Sequence, residues 1–182
     1  MKIGAIADAI HYRSRTEKLV ERVAERPIMT AHGAFRLVVY RDKLSDATHL
    51  ALVRGPISQD SETLVRVHEP LSVMDLLDMQ GASHSWGIPA ALAAIADSGR
   101  GVMVLLHRPE SAAELRHRAL TDETPASSKT ELRNYGIGAQ ILRDLNVRKM
   151  RLMARPRKMP SMTGFDLEVT GFVDPPPLRK VS

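Results

Sequence analysis

The chain has 182 residues, a formal net charge of +5 and no cysteine. That length can bury a core without cross-links, and the missing thiols exclude both a disulfide framework and any thiolate-held metal. No apolar run nears the ~18 residues of a membrane span, and no secretory pattern follows Lys2, so a cytoplasmic address is expected. The moderate positive charge would suit a phosphorylated ligand or an acidic partner. Aromatic residues make up only 4% of the chain and the basic residues are scattered, which disfavours nucleic acid.

Residues 3–25 begin helically, with Ile3, Ile6, Ala7 and Ile10 on one face and Arg13, Arg15 and Lys18 opposite. From Leu19 the pattern turns to strands. Ala31-His32-Gly33-Ala34 reads as a turn between strands at Leu19–Met29 and Phe35–Tyr40. Leu50–Arg54 and Thr63–His68 are further short strands, and their close spacing favours antiparallel pairing in a curved sheet or small barrel. Pro89–Asp97 is a helix with Pro in its first turn and Gly99 beyond its end. A buried strand, Gly101–His107, and an exposed helix, Glu110–Leu120, follow, and 122–130 should be a polar, mobile loop.

The stretch from Glu131 to Phe165 carries the most information. Tyr135–Leu145 sets Ile137, Ile141, Leu142 and Leu145 on one helical face, and Asn146 is suited to end the helix. Val147–Met153 alternates basic and apolar residues like a half-buried strand, and Ala154-Arg155-Pro156-Arg157-Lys158 gathers positive charge in a turn. Phe165–Val173 reads as a last strand, and the proline-rich end from Asp174 as an extended tail. No internal repeat is apparent.

The run Glu131-x-Arg133 leading into Tyr135-Gly136-Ile137-Gly138-Ala139-Gln140-Ile141-Leu142 resembles the GTP cyclohydrolase II family, as does Arg66-Val67-His68. The resemblance implies an α/β (α+β) fold, a mixed sheet or small barrel with flanking helices. The opening segment is similar to the junction in bifunctional riboflavin enzymes, where a dihydroxybutanone phosphate synthase precedes the cyclohydrolase. On that basis residues 1–18 are a linker helix, 19–173 the cyclohydrolase-like domain and 174–182 a disordered tail, with a synthase domain in cis and a homodimer as expected partners.

In this family, zinc held by three cysteines activates the water that opens the guanine ring. The resemblance puts those positions at Leu71, Ala82 and His84, so no catalytic zinc is expected. His68 and His84 are then ordinary polar surface or local hydrogen-bonding groups. The glycine-rich phosphate loop is replaced by Pro109–Leu115. What persists by resemblance is Arg133, the family's reacting arginine, with Glu131 as its acidic partner. Lys158, Arg108 and Tyr135 remain as nucleotide-phosphate contacts. The plainer account of Arg133 is a salt bridge to Glu131 or Asp144.

The expectation is a degenerate cyclohydrolase domain with a structural or regulatory role, without a metal cofactor of its own. Two rivals stand beside it. One is a zinc-independent enzyme that cleaves nucleotide phosphate through Arg133. The other is a module that binds GTP, another phosphorylated metabolite or a flavin-pathway compound, with magnesium accompanying a nucleotide.

Overall fold

A computed structural model describes residues 12, 16–69, 72–77, 84–121, 129–157, 159 and 161–177, without the side chains of 129–132. The expected opening helix, most of the 122–130 loop, Leu71, Ala82, Lys158 and the last five residues lie outside it, as does the side chain of Glu131. Seven strands form one sheet: β1 (Val20–Thr30), β2 (Gly33–Asp42), β3 (Thr48–Arg54), β4 (Glu62–His68), β5 (Gly101–Leu105), β6 (Lys149–Met153) and β7 (Glu168–Val173). The strand order is β1-β2-β3-β5-β4-β6-β7. Three helices accompany them among the described residues: α1 (Ile88–Ser98), α2 (Ala112–Leu120) and α3 (Lys129–Asp144).

The first three strands pair antiparallel, as their spacing predicts, with Ala31-His32 turning β1 into β2 and Gly33 opening β2 at φ 104°. The second half departs from that expectation. Strand β5 runs antiparallel to β3 but parallel to β4, and β4–β6 and β6–β7 are also parallel. Parallel neighbours need a crossover. Helix α1 supplies it between β4 and β5, and α2 with α3 supplies it between β5 and β6. The sheet is therefore mixed and open, with β1 and β7 at its edges, rather than a closed barrel.

Alternation along the strands divides the core between the two faces. Val102 and Val104 of β5 point to the side where α3 buries Ile137, Ile141, Leu142 and Leu145. Met103 points to the other side, against Leu92 and Ile95 of α1, with Phe35, Leu52 and Trp86. Each such side chain removed from water contributes roughly 1.5–3 kcal/mol. Gly101 permits the close seating of α1, since a Cβ there would lie 2.8 Å from the Leu64 carbonyl oxygen and 3.0 Å from Ile95 Cγ2.

The helix ends follow their residue types. Gly99, at φ 75°, donates its N–H to the carbonyls of Ile95 and Ala96. Ser111 and Glu114 form a reciprocal capping box on α2. Asn146, at φ 67°, turns the chain out of α3. That helix starts six residues earlier than the apolar spacing alone indicates, and β7 starts three residues later, behind a 3-10 turn at Thr163–Phe165.

Candidate functional site

The connection leaving β4 crosses over α1 to β5 on one side, while β6, on the other side of β4, leads away to β7. Strands β4 and β6 thus flank the point where the winding reverses. The crevice beyond the carboxyl ends of strands at such a point is the usual ligand position in an open α/β sheet. A cavity of about 430 Å³ lies there. Its floor comes from Val67 of β4, Met150 and Leu152 of β6, and Gly138, Ala139 and Leu142 of α3. Its rim carries Glu69, His84, Asn134 and Tyr135, followed by Arg155 and Arg157 from the basic turn after β6.

Arg66 is the buried charge of this cavity. It is 7% exposed, and no ion pair with a carboxylate is found for it among the described residues. One guanidinium nitrogen donates to Met153 O at 3.0 Å, and the other to Trp86 O at 3.1 Å and to His68 Nδ1 at 3.3 Å. Burial, reinforced by the charge of Arg157, lowers its pKa to about 10, which leaves it charged at neutral pH. Arg157 also sits over the Tyr135 ring, 5.9 Å from its centroid. Asn134 donates to Glu69 Oε1 at 2.8 Å, which anchors one rim of the cavity to the other. A cationic wall over an apolar floor can accommodate an anionic group attached to a flat, apolar body.

Arg133 is absent from this cavity lining. It reaches the end of β2, where one guanidinium nitrogen lies 2.7 and 2.6 Å from the two carboxylate oxygens of Asp42. Asp42 is 1% exposed and accepts further bonds from Leu44 N, Ser45 N and Ser45 Oγ. Burial alone would raise the pKa of this carboxyl, but the bonds from Leu44 and Ser45 and the charge of Arg133 outweigh it and hold the group below the carboxylate range. The expected alternative partner, Asp144, is taken by Arg22 and by the Tyr40 hydroxyl at 2.6 Å. Arg108 pairs with Glu114 on the surface, outside the cavity lining. Of the five residues singled out from the sequence, the structure brings Tyr135 to the cavity. Lys158 and the Glu131 side chain fall outside the described residues.

Beside Arg66 stand the two histidines. They are not polar surface: His68 is 2% exposed, and its ring stacks on that of His84 with centroids 4.2 Å apart. Local hydrogen bonding is present, with His84 Nε2 3.2 Å from Asp75 Oδ2. Asp75, Asp42, Glu69 and Asn134 were missed by reading the sequence. Arg66 was named there only within the Arg66-Val67-His68 motif, although its charge inside the apolar strand Leu64–Val67 was a further signal.

The architecture is that of a mixed α/β domain with a cavity at its switch point. A sequence model of GTP cyclohydrolase II matches residues 21–174, and the chain belongs to that family. It is 51% identical over 172 residues to a protein of Neisseria meningitidis serogroup B named 3,4-dihydroxy-2-butanone 4-phosphate synthase, covering 94% of this chain and 47% of that protein. It is 39% identical over 200 residues to riboflavin biosynthesis protein RibBA of Aquifex aeolicus, covering 100% of this chain and 49% of the relative. Among solved structures it resembles RibBX of A. baumannii, described as a two-domain 3,4-dihydroxy-2-butanone 4-phosphate synthase. The TM-score is 0.68 and the identity 37%, over 92% of this chain and 44% of that one. The chain spans about half the length of these relatives. No described helix is long and apolar enough to cross a membrane.

By the resemblance, the family's zinc would be held by three thiolates. This chain has no cysteine, so the residues present do not supply that ligand set.

Proposed function

We propose that this domain is a non-catalytic cyclohydrolase II-like module of riboflavin biosynthesis, serving a 3,4-dihydroxy-2-butanone 4-phosphate synthase domain in a structural or regulatory role. The observation that carries this reading is the engagement of Arg133. By resemblance it is the family's reacting arginine, yet here a buried carboxylate at the end of β2 occupies it. The missing thiolate set supports the same reading. Ring opening needs a metal-activated water held in place, and proximity effects are lost with displacements of about 1 Å.

Two assays test it. Purified protein incubated with GTP, magnesium and zinc should release neither formate nor pyrophosphate, and sustained formate release would overturn the proposal. Synthase turnover should also change when this domain is deleted from a natural fusion.

Arg66 favours a second reading, a ligand-sensing module. A buried guanidinium without a carboxylate partner among the described residues, beside Arg155 and Arg157, can receive an anionic group of a nucleotide or flavin-pathway phosphate. Thermal stabilisation by such a compound, abolished in Arg66→Met, would establish it. Indifference to a panel of nucleotides and flavin phosphates would rule it out.

A further inference from the structure

We propose that His68, Asp75 and His84 form a binding site for a divalent transition metal, built from two imidazoles and one carboxylate. The three residues come from the end of β4, the 3-10 turn Val73–Leu77 and the segment entering α1. Their ligating atoms lie within 4.8 Å of one another. Around an ion with bonds of about 2.1 Å, neighbouring donors stand roughly 3–3.5 Å apart. His84 Nε2 and Asp75 Oδ2 already have that spacing, at 3.2 Å. Completing the set requires side-chain rotations that draw in donors now up to 4.8 Å apart.

A second observation points the same way. The Nε2 atom of His68 is buried and has no hydrogen-bond partner among the described residues. Such orphaned polar atoms are rare in folded interiors and call for a ligand or ion. The carboxylate is held in place from behind, since Asp75 Oδ2 accepts from Ser72 N at 3.2 Å and Ser72 Oγ donates to Glu110 at 2.9 Å. Supporting bonds of this kind orient metal ligands.

The donor chemistry selects the ion. Two imidazoles and a carboxylate suit zinc, cobalt or nickel, whereas calcium and magnesium require mostly oxygen donors. Arg66 limits the affinity. Ligation through Nε2 moves the remaining imidazole proton to Nδ1, so the guanidinium gives up its 3.3 Å contact there and keeps Trp86 O and Met153 O. A fixed positive charge at that distance weakens binding relative to a thiolate site. The site shares only His84 with the positions of the family's zinc ligands. It would clasp β4 to the entrance of α1, independently of any ring-opening activity.

Chelator-stripped protein titrated with cobalt(II), followed by calorimetry and visible d–d absorption, tests the proposal. A single equivalent should bind, and His84→Ala and Asp75→Ala should each weaken it by about tenfold or more. His117→Ala, on the exposed face of α2, should leave binding unchanged. Absence of binding, or binding equally strong in the His84 and Asp75 variants, would overturn the site and leave surface histidines as the only ligands. Should those variants unfold, hyperfine-shifted imidazole protons in the cobalt-loaded unmodified protein decide. Their presence on His68 and His84 supports the site, and their absence refutes it.

Discussion

Arg133 and Asp42 lie 91 positions apart in sequence, yet one guanidinium nitrogen contacts both carboxylate oxygens at 2.6–2.7 Å. The pair ties the first turns of α3 to the turn between β2 and β3, and Asp42 holds that turn through Leu44 and Ser45. An arginine that belongs to phosphate chemistry by resemblance is thereby paired with a buried carboxylate.

Asp42→Ala removes the acceptor for all these donors. It should destabilise the domain by about 2–4 kcal/mol, read as a lower urea midpoint at unchanged slope. Arg133→Ala is partly compensated by water and should cost less. A loss of stability with no change in nucleotide turnover marks a structural brace, whereas loss of a measurable activity would mark a catalytic role.

The same corner predicts an acid limb. Asp42 has a folded pKa below its unfolded value, so its contribution is present above the unfolded pKa, about 3.9, and is lost as pH falls through the folded one. His49 is buried beside it, and its Nδ1 accepts from His107 N at 3.0 Å. Burial lowers its pKa, against the opposing pull of Asp42, while His107 and Arg133 lower it further. The unfolded chain therefore binds a proton there first, and stability declines once pH drops below about 6.5. Unfolding free energy measured against pH should fall in two stages. His68, whose pKa burial lowers to about 3, contributes to the same upper stage, so His49→Gln should reduce that stage and Asp42→Asn the lower one.

Ile141 is fully buried where α3 meets the sheet. Ile141→Ala should cost about 2–5 kcal/mol, the range for large-to-small changes in a packed core. Equilibrium urea unfolding provides the check.

Gly101→Ala probes the opposite face. The added methyl would meet the Leu64 carbonyl oxygen at 2.8 Å and Ile95 at 3.0 Å, so α1 must lift from the sheet at a cost of roughly 1–3 kcal/mol. A lowered melting temperature tests this, and Gly138→Ala, whose Cβ would meet Val67 at an ordinary 3.6 Å, is the milder comparison.

Trp86 offers a built-in reporter of the cavity. It is the single tryptophan of the chain, its carbonyl accepts from Arg66 and its indole N–H donates to Val173 O at 2.9 Å. Occupation of the cavity by a phosphorylated ligand should shift its fluorescence, and Arg66→Met should remove the response. A response that survives in Arg66→Met would place the ligand elsewhere.

Features resting on neighbouring residues were legible in the sequence. The spacing of Ile137, Ile141, Leu142 and Leu145 marked the buried face of α3, because a helix returns to the same side every 3.6 residues. Gly99 and Asn146 marked helix ends for a local conformational reason, and the Tyr135–Leu142 motif led to the family. What depends on separate strands meeting was decided only by the tertiary structure. The parallel half of the sheet follows from where α1 and α3 carry the chain, which no local pattern encodes. Packing gave Arg133 to Asp42 and left Arg66 as the buried cation of the cavity. It also brought Asp75 to His84 and His68, since a side chain's partners are set by the elements that fold against it, not by its neighbours along the chain.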